Sequence, residues 1–286
     1  MKIKLLTTRF GPLEYSDYGT GIPVLFLHGG HANARETMTH KFMDPAKFRL
    51  ITPSRPGYGG TPLVNNETPG KAARQIIELM DALDCASFCV IGISAGGLTA
   101  IALAGLFPDR VRKLVLESAV TLRWLQPGDA LYTKGRRLFN PKIQRFTWAM
   151  LRIFLRLFPR MIMRSTAKEL TTVKIRKFTS EEVQQMKKML SQQGSGSGFV
   201  TDLEQNADAQ IIQQITAPTL IVHSKNDAVI AAHHPLNAQA NICNSELIWV
   251  KNRWGHLLWL GEEAAGIIQP IVVFLLAQNQ THQDQK

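Results

Sequence analysis

The residues best suited to chemistry lie in one short run, Gly92-Ile93-Ser94-Ala95-Gly96-Gly97. Ser87-Phe88-Cys89-Val90-Ile91 before it reads as a buried strand, and Leu98 to Ala104 after it is mostly helix formers. A G-x-S-x-G serine at such a strand-to-helix turn takes a strained backbone conformation, so its neighbours two residues away must be small; here both are Gly. The turn lifts the Ser94 hydroxyl clear of the sheet. It also sets the Ala95 amide at the positive end of the next helix, where a developing oxyanion is stabilised. A serine nucleophile needs a base and an orienting acid, which in this setting follow in the order acid, then His. Asp227 lies in Ser224-Lys225-Asn226-Asp227, just after an apolar run at 218–223, and His256 lies in Arg253-Trp254-Gly255-His256, after a run at 246–250. Parallel strands bring their carboxyl ends to one crevice. Asp227 would then hold the His256 tautomer, and His256 would take the proton from Ser94.

The elements that must position these groups are legible on both sides of Ser94. Residues 2–8 and about 12–19 read as strands joined through Phe10-Gly11-Pro12. Residues 24–27 form a buried strand ending at His28-Gly29-Gly30, and residues 34–43 could form a short helix. Residues 48–53 are the next strand, running into a Gly- and Pro-dense loop at 54–62. Ile76, Leu79, Met80 and Leu83 give residues 69–83 a helical period, 111–117 is a strand, and the last helix spans roughly 261–277. The tail from Gln278 is polar and expected to fray. This alternation predicts an α/β fold, a mostly parallel sheet with helices on both faces.

From about 121 to 208 the text is helical and basic, with no clear strand. It reads as a helical cap inserted into a core made of 1–120 and 209–286. Gln192 to Gly198 inside it, Gln-Gln-Gly-Ser-Gly-Ser-Gly, reads as a flexible joint. Between residues 121 and 200 stand 16 Lys/Arg against 4 Asp/Glu, a local +12 that leaves −1 for the rest of a +11 chain. Such charge suits acidic partners of several kinds, but no nucleic-acid-binding signature is present.

At 286 residues, with 45% hydrophobic and 19% charged residues, the chain has room for one large α/β domain and ordinary globular composition. No apolar run is long enough for a bilayer, and the start has too short an apolar core for a signal peptide. Cys85, Cys89 and Cys243, sparse and without zinc-ligand spacing, suggest reduced thiols and a cytoplasmic protein. His223, His233 and His234 lack a convincing metal-ligand set, and no cofactor is expected.

Taken together, His28-Gly29-Gly30, Pro56-Gly57-Tyr58-Gly59, Gly92 to Gly97, Asp227 and Gly255-His256 resemble the α/β-hydrolase superfamily, in a serine-nucleophile form with a helical cap. The resemblance implies that Gly30, or His31 if the loop register differs, supplies a second oxyanion-hole amide beside Ala95. It implies a structural place for His28, and it leaves Glu117, which ends the strand after the serine, as the other site where some relatives carry the acid. Relatives with an aspartate nucleophile, the haloalkane dehalogenases and epoxide hydrolases, are set aside by Ser94. Proline iminopeptidases typically carry Trp where this chain has Ala95. The hormone-sensitive-lipase group carries a longer glycine run after its His than this chain does.

The expected reaction is hydrolysis of a carboxylic ester, or of a thioester or amide, through an acyl-enzyme on Ser94. Carbon–carbon bond hydrolysis, cofactor-free perhydrolysis and ligand binding without catalysis remain alternatives on the same residues. Residues 142–158 predict a cap helix stopping before Pro159, with Arg145, Arg152 and Arg156 in one narrow stripe and apolar residues over most of the rest. That apolar surface is wider than one packing face requires. Other cap helices and the acyl pocket, a dimer contact, or an anionic membrane surface would each cover it, and most of these readings favour an apolar acyl group in the substrate.

Overall fold

The structure is a computed structural model describing residues 2–277. Eight strands form one sheet: β1 (Ile3–Thr8), β2 (Gly11–Gly19), β3 (Ile22–Leu27), β4 (Phe48–Pro53), β5 (Phe88–Ile93), β6 (Val111–Glu117), β7 (Thr219–Ser224) and β8 (Ser245–Val250). Their spatial order is β1-β2-β4-β3-β5-β6-β7-β8. The β1–β2 hairpin and the β2–β4 pair are antiparallel, and every other neighbouring pair is parallel. The expected fold class is the observed one.

The central strands β3 and β5 are apolar throughout because both sheet faces are covered there. Alternate residues of β3 separate accordingly. Leu25 and Leu27 join Val90, Leu114 and Ile221 under α1 (Pro69–Ala82) and α2 (Gly96–Leu106). Val24 and Phe26 face the opposite way, with Ile91, Val115 and Val222, toward Ile267, Ile268 and Ile271 of the last helix (Ala264–Leu276). Ile93, Glu117 and Val222 are paired in one row across β5, β6 and β7. The loops that follow these strands therefore start from one edge.

Between β6 and β7 the chain is helical: α3 (Ala130–Leu138), α4 (Gln144–Leu157), α5 (Pro159–Leu170), α6 (Ser180–Gln192), α7 (Gly198–Glu204) and α8 (Ala209–Gln213). Pro159 ends α4, as its ring requires, and also opens α5 as its first residue. Trp148, Leu155, Met163 and Met186 of these helices share one hydrophobic cluster with the sheet. α9 (His233–Asn241) and α10, the last helix just described, complete the fold.

Two expectations are corrected. Residues 34–43 form no α-helix, only a 3-10 turn at Thr39–Phe42. The Asn33 side chain accepts from the Arg35 amide, and Glu36 Oε1 accepts from the Thr37 and Met38 amides. These local bonds satisfy donors that a helix would otherwise use. The Gly-Ser segment is not a loose joint. Ser195 is fully buried, and the Gly194 amide donates to the His31 carbonyl at 2.8 Å. Gly196 has φ of +51°, and a Cβ there would collide with the Gly57 carbonyl. Small residues stand here for close approach, not for freedom. The tail from Gln278, expected to fray, lies outside the described residues.

Candidate active site

Ser94 sits between β5 and α2 with φ of +49°, a region L-residues enter only when their surroundings compel it. Its amide donates to the Glu117 carbonyl, and its own carbonyl accepts from Gly97 and Val120. The flanking glycines are a packing requirement. A Cβ on Gly92 would lie 2.5 Å from the Ala100 Cβ, and one on Gly96 would collide with the Leu27 carbonyl.

The loop after β8 carries His256 and the loop after β7 carries Asp227. His256 Nε2 is 3.0 Å from Ser94 Oγ, and Nδ1 is 2.9 Å from Asp227 Oδ2. Asp227 Oδ1 accepts from the amides of Val229 at 2.8 Å and Ile230 at 2.9 Å. Burial acts to raise the Asp227 carboxyl, but the neighbouring His256, with the Ile230 amide and His223, outweighs it, so it titrates below the usual range. The end of α5 reaches into the same place: the Leu170 carbonyl accepts from the amides of His256 and Ala228. Helices remote in sequence thus help to hold both loops.

Glu117 is elsewhere. It is fully buried at the end of β6 and accepts from Thr39 Oγ1 at 2.9 Å, while its other oxygen has no partner among the described residues. Burial pushes its carboxyl up to about 7. It makes no hydrogen bond to His256. The structure therefore brings Ser94, His256 and Asp227 together and leaves Glu117 apart.

The loop after β3, expected to complete an oxyanion hole, passes beside Ser94 with Gly29, Gly30 and His31 all lining the pocket. The Gly30 and Ala95 amides have no hydrogen-bond partner among the described residues, and both residues line the pocket beside Ser94. His28 is fully buried; its Nε2 accepts from the Arg55 amide and its carbonyl from Arg55 Nε. Burial, with the Arg55 charge beside it, holds His28 well below the usual range, so it is a neutral brace for the loop.

Three features were not legible in the sequence. The Arg55 guanidinium is fully buried and bidentate to Asp202 of α7, at 2.8 and 2.7 Å, and the Tyr58 hydroxyl donates to the same carboxylate at 2.6 Å. Asp202 shares the buried helix face of Phe199 and Leu203, and a carboxylate at that spacing is the signal that was available. Next, Trp148 Nε1 donates to Ser195 Oγ, whose own proton then goes to His31 Nδ1, each at 2.8 Å. His31 stacks on Phe199 with ring centres 4.0 Å apart, and burial holds it at about 3, hence neutral. No sequence spacing links residues 31, 148 and 195. Last, a cavity of about 410 Å³ opens over Ser94, walled by apolar side chains such as Leu125, Leu138, Phe139, Leu151 and Phe199. Its only lysine or arginine among the described residues, Lys134, is paired with Glu169 at 2.7 Å.

His223 faces the Ile230 carbonyl at 3.0 Å, His234 Nδ1 accepts from the Thr121 amide, and no cluster of metal-ligating side chains occurs among the described residues. Nor, among them, is any helix long and apolar enough to cross a membrane.

Comparison with known proteins agrees with this architecture. A hydrolase of Bacillus subtilis (strain 168), YcgS, itself uncharacterized, is 36% identical over 92% of this chain and 95% of its own length. A 2-hydroxy-6-oxononadienedioate/2-hydroxy-6-oxononatrienedioate hydrolase of Cupriavidus pinatubonensis is 27% identical over 96% and 94%. Among solved structures, an alpha/beta hydrolase fold protein from Nakamurella multipartita superposes with a TM-score of 0.75 at 24% identity, covering 96% of this chain and 99% of that one. The family model described as alpha/beta hydrolase fold matches residues 22–262, from β3 to just before α10, and so this chain belongs to the alpha/beta hydrolase fold family and is a hydrolase.

Proposed function

We propose that the chain is a serine hydrolase of carboxylic esters, acting on a small molecule with an apolar acyl group. The observation that carries this reading is the unbroken run of hydrogen bonds from Ser94 Oγ through His256 to Asp227. In the proposed reaction Ser94 Oγ attacks the ester carbonyl as His256 Nε2 takes its proton. Asp227 accepts from Nδ1–H and stabilises the imidazolium. The Gly30 and Ala95 amides receive the negative oxygen, the second aided by its place at the start of α2. His256 returns the proton to the departing alkoxide, leaving an acyl-serine, and then draws a proton from water to release the acid. Residues 121–208 act as the cap that walls the acyl pocket. The free thiols of Cys85, Cys89 and Cys243 fit a cytoplasmic location.

A second reading, hydrolysis of a carbon–carbon bond, is favoured by the relative named for a dienedioate substrate. Against it stands the pocket. A dicarboxylate needs cationic partners, and the lining offers only Lys134, already paired with Glu169. A fluorophosphonate probe with a p-nitrophenyl ester panel tests the first reading. Labelling of Ser94 with turnover supports it; labelling without ester turnover, together with turnover of a vinylogous 1,5-diketone acid, replaces it by the second.

A further inference from the structure

The apolar surface of the α4 helix is not absorbed by the protein. At about 100° per residue, α4 has three stripes. Trp148 and Leu155 are buried, and Leu151 half-buried, on the side facing the pocket and core. Arg145, Arg152 and Arg156 form a second stripe. Phe146, Ile153, Phe154 and Leu157 form the third, and it lies open: Phe146 is 69% exposed and Leu157 64%. Phe158 and Met161, at the turn into α5, are more than half exposed as well. Water-facing clusters of large apolar side chains mark surfaces that meet something else.

The charge around this patch says what it meets. From Ala130 to Lys168, 39 residues covering α3, α4 and nearly all of α5, there are 10 Lys/Arg and no Asp or Glu. Within that stretch only Lys134 and Arg136 form salt bridges among the described residues, with Glu169 and Glu204 from beyond it. Arg145, Arg156, Arg160 and Arg164 are all exposed. A second copy of the chain would set this cationic face against its own like charge in a two-fold contact, which opposes association. An anionic bilayer complements both features at once: acyl chains take the aromatic and aliphatic tips, and headgroups take the arginines.

We propose that the α4–α5 hairpin, with the end of α3, is a docking surface for anionic lipid bilayers. The patch adjoins the substrate cavity, since Leu131, Leu138 and Leu151 of the same helices line it. A docked molecule would therefore take apolar substrate from the membrane through the side of the cavity nearest the lipid. The docking itself does not depend on the reaction assigned to Ser94, so it is read by binding and not by turnover.

The test is co-sedimentation of the full chain with phosphatidylcholine vesicles, with and without phosphatidylglycerol, at low and high salt. The expected result is binding to the phosphatidylglycerol vesicles that weakens by about tenfold or more at high salt. Phe146→Ser with Leu157→Ser, and separately Arg145→Glu with Arg156→Glu, should each weaken it by at least about tenfold. None of these four residues lines the cavity, so turnover of a water-soluble short ester should be unchanged. Absence of binding to either vesicle at low salt overturns the proposal. So does equal binding by wild type and both variants, or a dimer in light scattering that the Phe146/Leu157 variant converts to monomer.

Discussion

The sheet and the helical insertion are held together by different physics, and each is informative where the other is not. The strands that position Ser94 and Asp227 are buried along their whole length, so each side chain there has one destination and the apolar pattern states it. In the insertion, α4 places one stripe inside and leaves another in water, while Ser195 and Asp202 bond to partners more than 100 residues away. Position in the sheet is set by burial alone, whereas the insertion adds to the burial of one face a few directed polar contacts. The first kind of order should tolerate change at any one surface site, and the second should fail at single bonds.

The largest effects should come from the sheet-borne groups, where chemistry itself is at stake. Ser94→Ala and His256→Ala should each lower kcat by on the order of 10⁶ while the fold, followed by circular dichroism, is unchanged. Asp227→Asn should cost roughly 10⁴ by favouring the wrong tautomer of His256. Near-full activity in Asp227→Asn alongside loss in Glu117→Gln would transfer the acid's role to Glu117.

The junction of the two regions comes next. Asp202→Asn leaves the Arg55 guanidinium buried with its counter-charge removed, which should destabilise the protein by about 3–5 kcal/mol. Urea unfolding measures this. A loss below about 1 kcal/mol would mean that the insertion does not rely on directed contacts.

Glu117 sharpens the contrast within the sheet. Its carboxyl stays protonated up to about pH 7 in the folded chain, against 4.5 for the ordinary group, so its burial is harmless below pH 4.5, costs stability progressively as pH rises from 4.5 to 7, and reaches its full cost above 7. Glu117→Gln should therefore stabilise the protein more at pH 8 than at pH 5, by about 2 kcal/mol. Urea midpoints at the two pH values give the comparison. An equal or opposite difference would show that Glu117 is ionised in the folded state at neutral pH.

The smallest effect concerns the pocket wall built by the insertion. Each added acyl methylene buried there should raise kcat/KM by up to about fourfold until the cavity is filled, so butyrate to octanoate esters should outrun acetate. An optimum at acetate would remove the apolar acyl group from the proposal.

This contrast also explains what the sequence revealed. The strand runs, the glycines around Ser94, and the sites of Asp227 and His256 were legible because buried strands and a strained turn restrict residue type at fixed spacing. The expected helix at 34–43 failed because Asn33 and Glu36 cap local amides, a competition that an apolar period does not register. The Gly-Ser run at 192–198 looked loose because composition carries no information on who approaches. Its close neighbours, His31, Gly57 and Trp148, are all distant in the chain.

That run has a consequence for anyone who would re-engineer the protein. The His31 carbonyl, one residue past Gly30, accepts from the Gly194 amide, and the His31 ring is tied to Ser195. The insertion is therefore not an interchangeable module. A chimera that exchanged residues 121–208 for foreign helices would discard the partners of His31 and of Arg55 together. Transplants should succeed only when residues 31, 55 and 58 travel with the helices, as one inherited unit split across the chain.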